Sequence, residues 1–163
     1  MVVADEGASA PDLNSPSAWA ISCQVHGNPG APNGPIFSSE FEGWRHQHFT
    51  SEQLADPGIS AREVEYGGLS NLLRYGLGLT PYQSATGRMP GATVTGNQID
   101  FAYRRLKKPL DIQYEPEASD DLETWVSDFT ALSVSDNGDG TETVTVRFVG
   151  GMKRFVRLRL TGG

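Results

Sequence analysis

Residues 63–74 read Glu-Val-Glu-Tyr-Gly-Gly-Leu-Ser-Asn-Leu-Leu-Arg, a spacing that invites divalent-cation chemistry. On the twelve-position calcium-binding loop, Glu63 and Glu65 fall at positions 1 and 3, Gly68 at turn position 6 and Asn71 at position 9. Calcium takes about six to eight oxygens, and positions 5 and 12 normally supply part of that set, the last as a bidentate carboxylate. Here position 5 is Gly67, with no side-chain oxygen, and position 12 is Arg74, which carries a cation toward the place of one. Glu63, Glu65 and Asn71 are thus the candidate metal ligands. The ligand count predicts an empty loop, without a cofactor, in which Arg74 pairs with Glu63 or Glu65.

Other reactive side chains have simpler readings. His46 and His48 are two residues apart, which on a helix turns them to different sides, and His26 stands alone. No HExxH, GxSxG or phosphate-loop pattern occurs. Asp120 with Asp121, or Glu115 with Glu117, has the form of a glycosidase carboxylate pair, but acidic pairs in so acidic a chain read first as solvated surface. Asp136 and Asp139 lie in Asp136-Asn137-Gly138-Asp139-Gly140, whose Asn-Gly and Asp-Gly pairs predict a hairpin turn before a second calcium site. Cys23 has no partner for a disulfide and reads as a small apolar residue. Trp44 and Trp125 follow apolar periods and are expected in the core. Tyr66, Tyr82 and Trp19 are the aromatics least tied to such a period, and they are the candidates for ligand binding, as rings that stack on a sugar face. The run Arg104-Arg105…Lys107-Lys108 is expected to be a solvated sheet edge.

The elements that must hold these residues follow from period and punctuation. Residues 1–37 form an Ala-, Ser- and Pro-rich N-terminal arm with one possible strand, in which Trp19, Ile21, Cys23 and Val25 alternate. Residues 38–81 hold two or three short helices and the calcium-type loop. Ser39 with Glu42 and Thr50 with Gln53 are capping boxes, Asp56-Pro57-Gly58 ends the second helix, and Leu69–Tyr75 makes a third helical turn. After a polar loop to about Gly96 the period becomes two. Ile99, Phe101 and Tyr103 alternate with polar residues, as do Leu110, Ile112 and Tyr114, then Val144, Val146 and Phe148, then Val156, Leu158 and Leu160; Trp125–Leu132 is a weaker strand. Residues 92–161 therefore predict a small antiparallel β-sandwich in a mainly β chain, with 38–161 as one module.

Composition agrees with that class. The 163 residues include nineteen glycines and ten prolines, more than a helical bundle tolerates. A formal charge of −7 offers no basic face for nucleic acid, and no apolar run reaches the roughly 20 residues of a membrane span. The opening residues lack the basic and apolar regions of a secretory signal, which leaves open a cytosolic protein or a piece of a longer secreted one.

The series Phe41-Glu-Gly-Trp44-Arg45, His48-Phe49-Thr50, Leu54-Ala-Asp56-Pro57 and Gly68-Leu69-Ser-Asn71-Leu72-Leu73-Arg74-Tyr75-Gly-Leu77-Gly78 resembles the C-terminal accessory module of large secreted bacterial multidomain proteins. That module reads "WR…HF…LADP…DPDGDGLSNLLEYALGxDP". Phe101-Ala-Tyr103, Ser119-Asp-Asp121-Leu122-Glu-Thr124-Trp125, 136–146 and 154–158 extend the resemblance to roughly residues 38–160. Its loop is similar to dockerin and thrombospondin type 3 calcium loops, from which this chain departs at Gly67 and Arg74. The resemblance implies a non-catalytic module, extracellular or on the cell surface, that binds polysaccharide or packs against neighbouring domains of a polysaccharide-processing protein. The alternative expectation is a structural, adhesion or assembly subunit that uses its N-terminal arm for protein–protein contact.

Overall fold

Helix starts are set by side-chain oxygens that accept otherwise orphaned backbone N–H groups. Ser39 accepts from Glu42 N at 3.1 Å and opens α1 (Glu40–His48). Glu42 turns its own carboxylate to Arg45, at 2.7 Å, and to His46, so this cap is not shown to be the reciprocal box its sequence predicts. Thr50 and Gln53 do form a reciprocal box and open α2 (Ser51–Ala55). Asp56-Pro57-Gly58 ends α2 but also starts a new turn, α3 (Pro57–Ser60), because Asp56 accepts from Gly58 N and Pro57 stands at the first helical position.

The computed structural model describes residues 2–3, 19–20, 37–107, 111–148 and 155–162, and the chain divides into two compact units, residues 1–64 and 65–162. In the first, β1 (Val2–Val3) pairs antiparallel with β2 (Trp19–Ala20). The rest of the predicted strand, with Ile21, Cys23 and Val25, lies outside the described residues, as does His26. Trp44 stacks on Phe41 and meets the edges of His48 and Phe49. Arg45 reaches from α1 to the buried Ser60 of α3, donating to its carbonyl at 2.8 Å and its hydroxyl at 2.7 Å.

In the second unit, the hairpin β3 (Glu65–Tyr66) and β4 (Leu69–Ser70) leads into α4 (Asn71–Gly76). Ser70 caps its start, and a Schellman turn closes it, with Gly78 N donating to Tyr75 O and Leu79 N to Arg74 O, both at 2.8 Å. Gly78 takes the positive φ (+67°) that this turn requires. The predicted helical turn over 69–75 thus begins two residues later, since Leu69 and Ser70 are spent on pairing.

Antiparallel strands make the remainder a small β-sandwich, and strand outweighs helix in the chain. One layer is β5 (Gly91–Thr95), β6 (Gln98–Leu106), β9 (Thr141–Phe148) and β8 (Phe129–Asp136), in the order β5-β6-β9-β8. The other is β7 (Ile112–Ser119) beside β10 (Phe155–Gly162). Phe101, Tyr103, Val144, Val146 and Phe148 from the first layer bury against Ala118, Tyr114, Val156 and Leu158 of the second. β5 lies inside the stretch expected as loop; all five of its residues are exposed, so it has no apolar period to read. The strand expected from Trp125 starts at Phe129, and Val126 makes only an isolated bridge to Ala118.

Tyr114 fastens this layer to α4. Its hydroxyl donates to Gly76 O at 2.6 Å and accepts from Leu106 N at 3.0 Å, and burial holds its acidity well below that of a free tyrosine. Gly76 lies close to β10 as well: a Cβ there would run into the tip of the Leu160 side chain, which would have to shift. Tyr114→Phe should lower the unfolding free energy by about 2–3 kcal/mol, since a backbone donor and a backbone acceptor are left without a partner at one stroke. Denaturant titration at neutral pH checks this, and a loss below about 0.5 kcal/mol would show that water replaces the hydroxyl.

Candidate functional site

The residues read as calcium ligands do different work. Glu63 is exposed and pairs with neighbouring Arg62 at 3.2 Å. Glu65 is exposed on β3, while Asn71 is buried in the first turn of α4. Arg74 pairs with neither glutamate, which corrects the expected ion pair. It is only 3% exposed and donates from Nη1 to Gln83 O at 2.8 Å and from Nη2 to Tyr66 O. Its guanidinium lies 5.4 Å from the Tyr66 ring centroid, and its buried Nε has no hydrogen-bond partner. The reason is local: α4 starts at Asn71, so the 74th side chain points back over the preceding turn toward the β3 end, where carbonyls are nearest. Among the described residues no three His, Cys, Asp or Glu side chains converge as a metal site.

Tyr66 and Tyr82, singled out as sugar-stacking candidates, are brought together. Their rings meet edge to face with centroids 5.1 Å apart, and each residue is 54% exposed. They line a groove of about 580 Å³ together with Gly67, Gly68, Leu69, Arg74, Gln83, Ser84, Thr86 and Met89, within the usual size of small-ligand sites. Both tyrosines owe their place to Arg74, whose two donors tie the carbonyl of Tyr66 to that of Gln83, the residue after Tyr82. Ser84 and Thr86 join hydroxyls at 3.0 Å, and Ser84 accepts from Thr86 N, so the polar wall is preorganised. Trp19, the third candidate, lies on β2 in the other unit, and its side chain is outside the described residues. The 83–89 wall went unmarked in the sequence, where a short polar run has no period.

Elsewhere, five of the acidic candidates are engaged. On β7, Glu115 and Glu117 face β10 and accept from Arg159 and Arg157, each at 2.7 Å. Asp121 accepts from the backbone of Thr124 and Glu123, which with the Ser119 hydroxyl holds its carboxyl below the ordinary range. In the β8–β9 turn, Asp139 accepts from the Thr141 hydroxyl at 2.6 Å and pairs with Arg104, which brings its carboxyl down to about 2. Asp136 takes Lys107 and Gly138 N. Those carboxylates shape a hairpin, as its residue types predict. In the basic run, Arg105 pairs with Glu142 and Arg104 with Asp139 on the β9 side, while the β5 ladder ends at Ala102, so the run lies beyond it. Trp125 is half-buried, outside the core, with Arg157 stacked 3.9 Å from its ring centroid. His46 packs on Phe37 and His48 on Trp44, with burial lowering the pKa of His48; they share no partner in these contacts.

Comparison with protein-family models, with curated proteins and with solved structures finds no match for the chain.

Arg74→Ala should cost about 3 kcal/mol of stability, since two hydrogen bonds from a charged donor of about 1.5–3 kcal/mol each are lost and the freed carbonyls recover part of that from water. Chemical denaturation of the variant checks it. Melts of the unaltered chain in calcium and in chelator should coincide, because the guanidinium already occupies the loop carbonyl; a shift of several degrees on chelation would show a bound metal.

Proposed function

We propose that the chain is a non-catalytic, extracellular accessory module that binds carbohydrate, serving a secreted or cell-surface protein that processes polysaccharide. The observation that carries the reading is the Tyr66–Tyr82 pair, two half-exposed rings edge to face over a groove. Folding tends to bury such rings, and a pair left in the open beside amide and hydroxyl groups offers what a pyranose needs: a flat apolar face and hydrogen-bonding neighbours. Gln83, Ser84 and Thr86 supply the neighbours. The non-catalytic part is supported by the carboxylates that resemble a glycosidase pair, since Glu115 and Glu117 are both engaged by arginine. The motif series over roughly residues 38–160 supports the extracellular setting through its resemblance to modules of secreted bacterial proteins.

A second reading, an assembly or adhesion subunit that engages a neighbour through its N-terminal arm, is favoured by β8. All eight of its residues are exposed, and Phe129 and Val134 lie opposite buried Phe148 and Val144, so the apolar inner face of the sheet continues onto an uncovered strand. A neighbour's arm could add there as a further strand. On that reading size-exclusion chromatography gives a larger species for the whole chain than for one lacking residues 1–18, and a monomer in both cases removes it.

For the leading reading, affinity electrophoresis against a panel of soluble polysaccharides should retard the chain. Tyr66→Ala and Tyr82→Ala should each weaken retention about tenfold, the effect of losing about 1.4 kcal/mol of ring contact. Melting midpoints should stay within a few degrees, since both rings are half exposed. Retention unchanged in both variants would overturn the platform, and no retention on any polysaccharide would leave domain packing as the module's role.

A further inference from the structure

We propose that the groove selects acidic saccharide units, bearing uronic carboxylates or sulfates, and that Arg74 and Arg88 set this preference; the inference rests on the reading of Tyr66 and Tyr82 as a sugar platform.

The chain partners its cations unevenly. It carries 20 acidic and 13 basic residues, so carboxylates are in surplus and an arginine can find one cheaply. Arg45, Arg62, Arg104, Arg105, Arg147, Arg157 and Arg159 each pair with a carboxylate. Among the described residues only Arg74 and Arg88 have no such ion pair, and the hollows they line adjoin across Gly87 and Met89. Arg74 lines the groove beneath Tyr66, and Arg88 sits between Gly87 and Met89, which line the same groove, while lining with them the adjoining hollow.

The groove itself is free of anions. No Asp or Glu is among the residues that line it, although the chain is acidic overall. The setting of Arg74 points the same way. A guanidinium 3% exposed normally demands a carboxylate, because burying a cation without a counter-charge is costly. Two of its donors go to neutral carbonyls and buried Nε has no partner at all. Its positive charge therefore has carbonyl dipoles and a ring beside it but no carboxylate in ion-pair range, under a surface that holds two aromatic rings. A sugar bearing an anion would supply the missing counter-charge while its ring stacks on the tyrosines. Arg88, partly exposed, lines the hollow that adjoins the groove across Gly87 and Met89, so a saccharide whose anionic unit extends past Met89 meets it there. Arg74 acts from beneath, through its field.

The test is calorimetric titration of the whole chain with an oligogalacturonate and with its methyl ester, which keeps the sugar backbone and removes the charge. A sulfated galactan and its desulfated form make the second pair and tell which anion is taken. The acidic member of at least one pair should bind about tenfold tighter than its neutral counterpart, with the gap shrinking as salt is raised. Arg88→Gln should close most of that gap while leaving affinity for the neutral member unchanged, and its melting midpoint serves as the folding control. Tyr82→Ala should weaken both members together. Equal binding of acidic and neutral members overturns the charge inference and leaves the sugar platform standing. Equal loss on both in Arg88→Gln also overturns it. No binding of any of the four ligands overturns the inference and the platform together.

Discussion

The Arg74 guanidinium, held by the carbonyls of Tyr66 and Gln83, is the contact on which the arrangement of the second unit's groove depends. The two carbonyl oxygens lie in separate segments, one at the end of β3 and one beyond α4. A buried cation gives them a common partner, and each such bond is stronger than one between neutral groups. Because Arg74 is rooted in α4, and α4 is pinned by its Schellman turn and by Tyr114, the position of the loops is inherited from the sandwich. A calcium ion would impose a similar order by collecting oxygens around itself. Here a side chain of the same charge sign collects two of them, and no glutamate at position 12 is left to demand a metal.

The sandwich that supports this is unequal. Four strands face two, so β6 and β9 are covered and the flanking strands are not. Ala92 and Val94 lie opposite Phe101 and Ile99, and Ala131 and Val134 opposite Val146 and Val144, which carries the apolar face past the edge of its cover. Residues within the overlap are nearly inaccessible, as Val146 and Phe148 are, whereas Val94 and Val134 are more than half exposed. The burial difference follows from strand count, not from residue type: Val appears on both sides of it.

What could be read in advance follows the same divide. β6, β9 and β10 were legible because covered strands must alternate, and the caps at Ser39 and Thr50 were legible because their chemistry is local. β5 was not, since an uncovered edge strand carries no burial signal, and the start of β8 was misplaced because Trp125 is apolar yet packs beneath Arg157 outside the core. In the site, the exposed tyrosines stood out as aromatics without a period. The partner of Arg74 did not, because the sequence advertises carboxylates and says nothing of carbonyls, and the nearest acceptor to a helix side chain depends on where that helix begins. A start shifted two residues along the chain was enough to misassign the pair.

That dependence bears on how an acidic chain can hold a cationic spot. Seven arginines sit opposite or close to their acids on paired strands, in one helix or in adjoining turns, so their charges cancel within a few ångströms. Cancellation at short range leaves little field beyond a Debye length of about 8 Å. The formal −7 then describes the surplus acids scattered over the surface, and it does not set the potential at a groove lined by none of them. Arg74, which has no carboxylate partner, can dominate there even though the molecule as a whole is negative, because in salt the nearest charges decide what an approaching ligand meets.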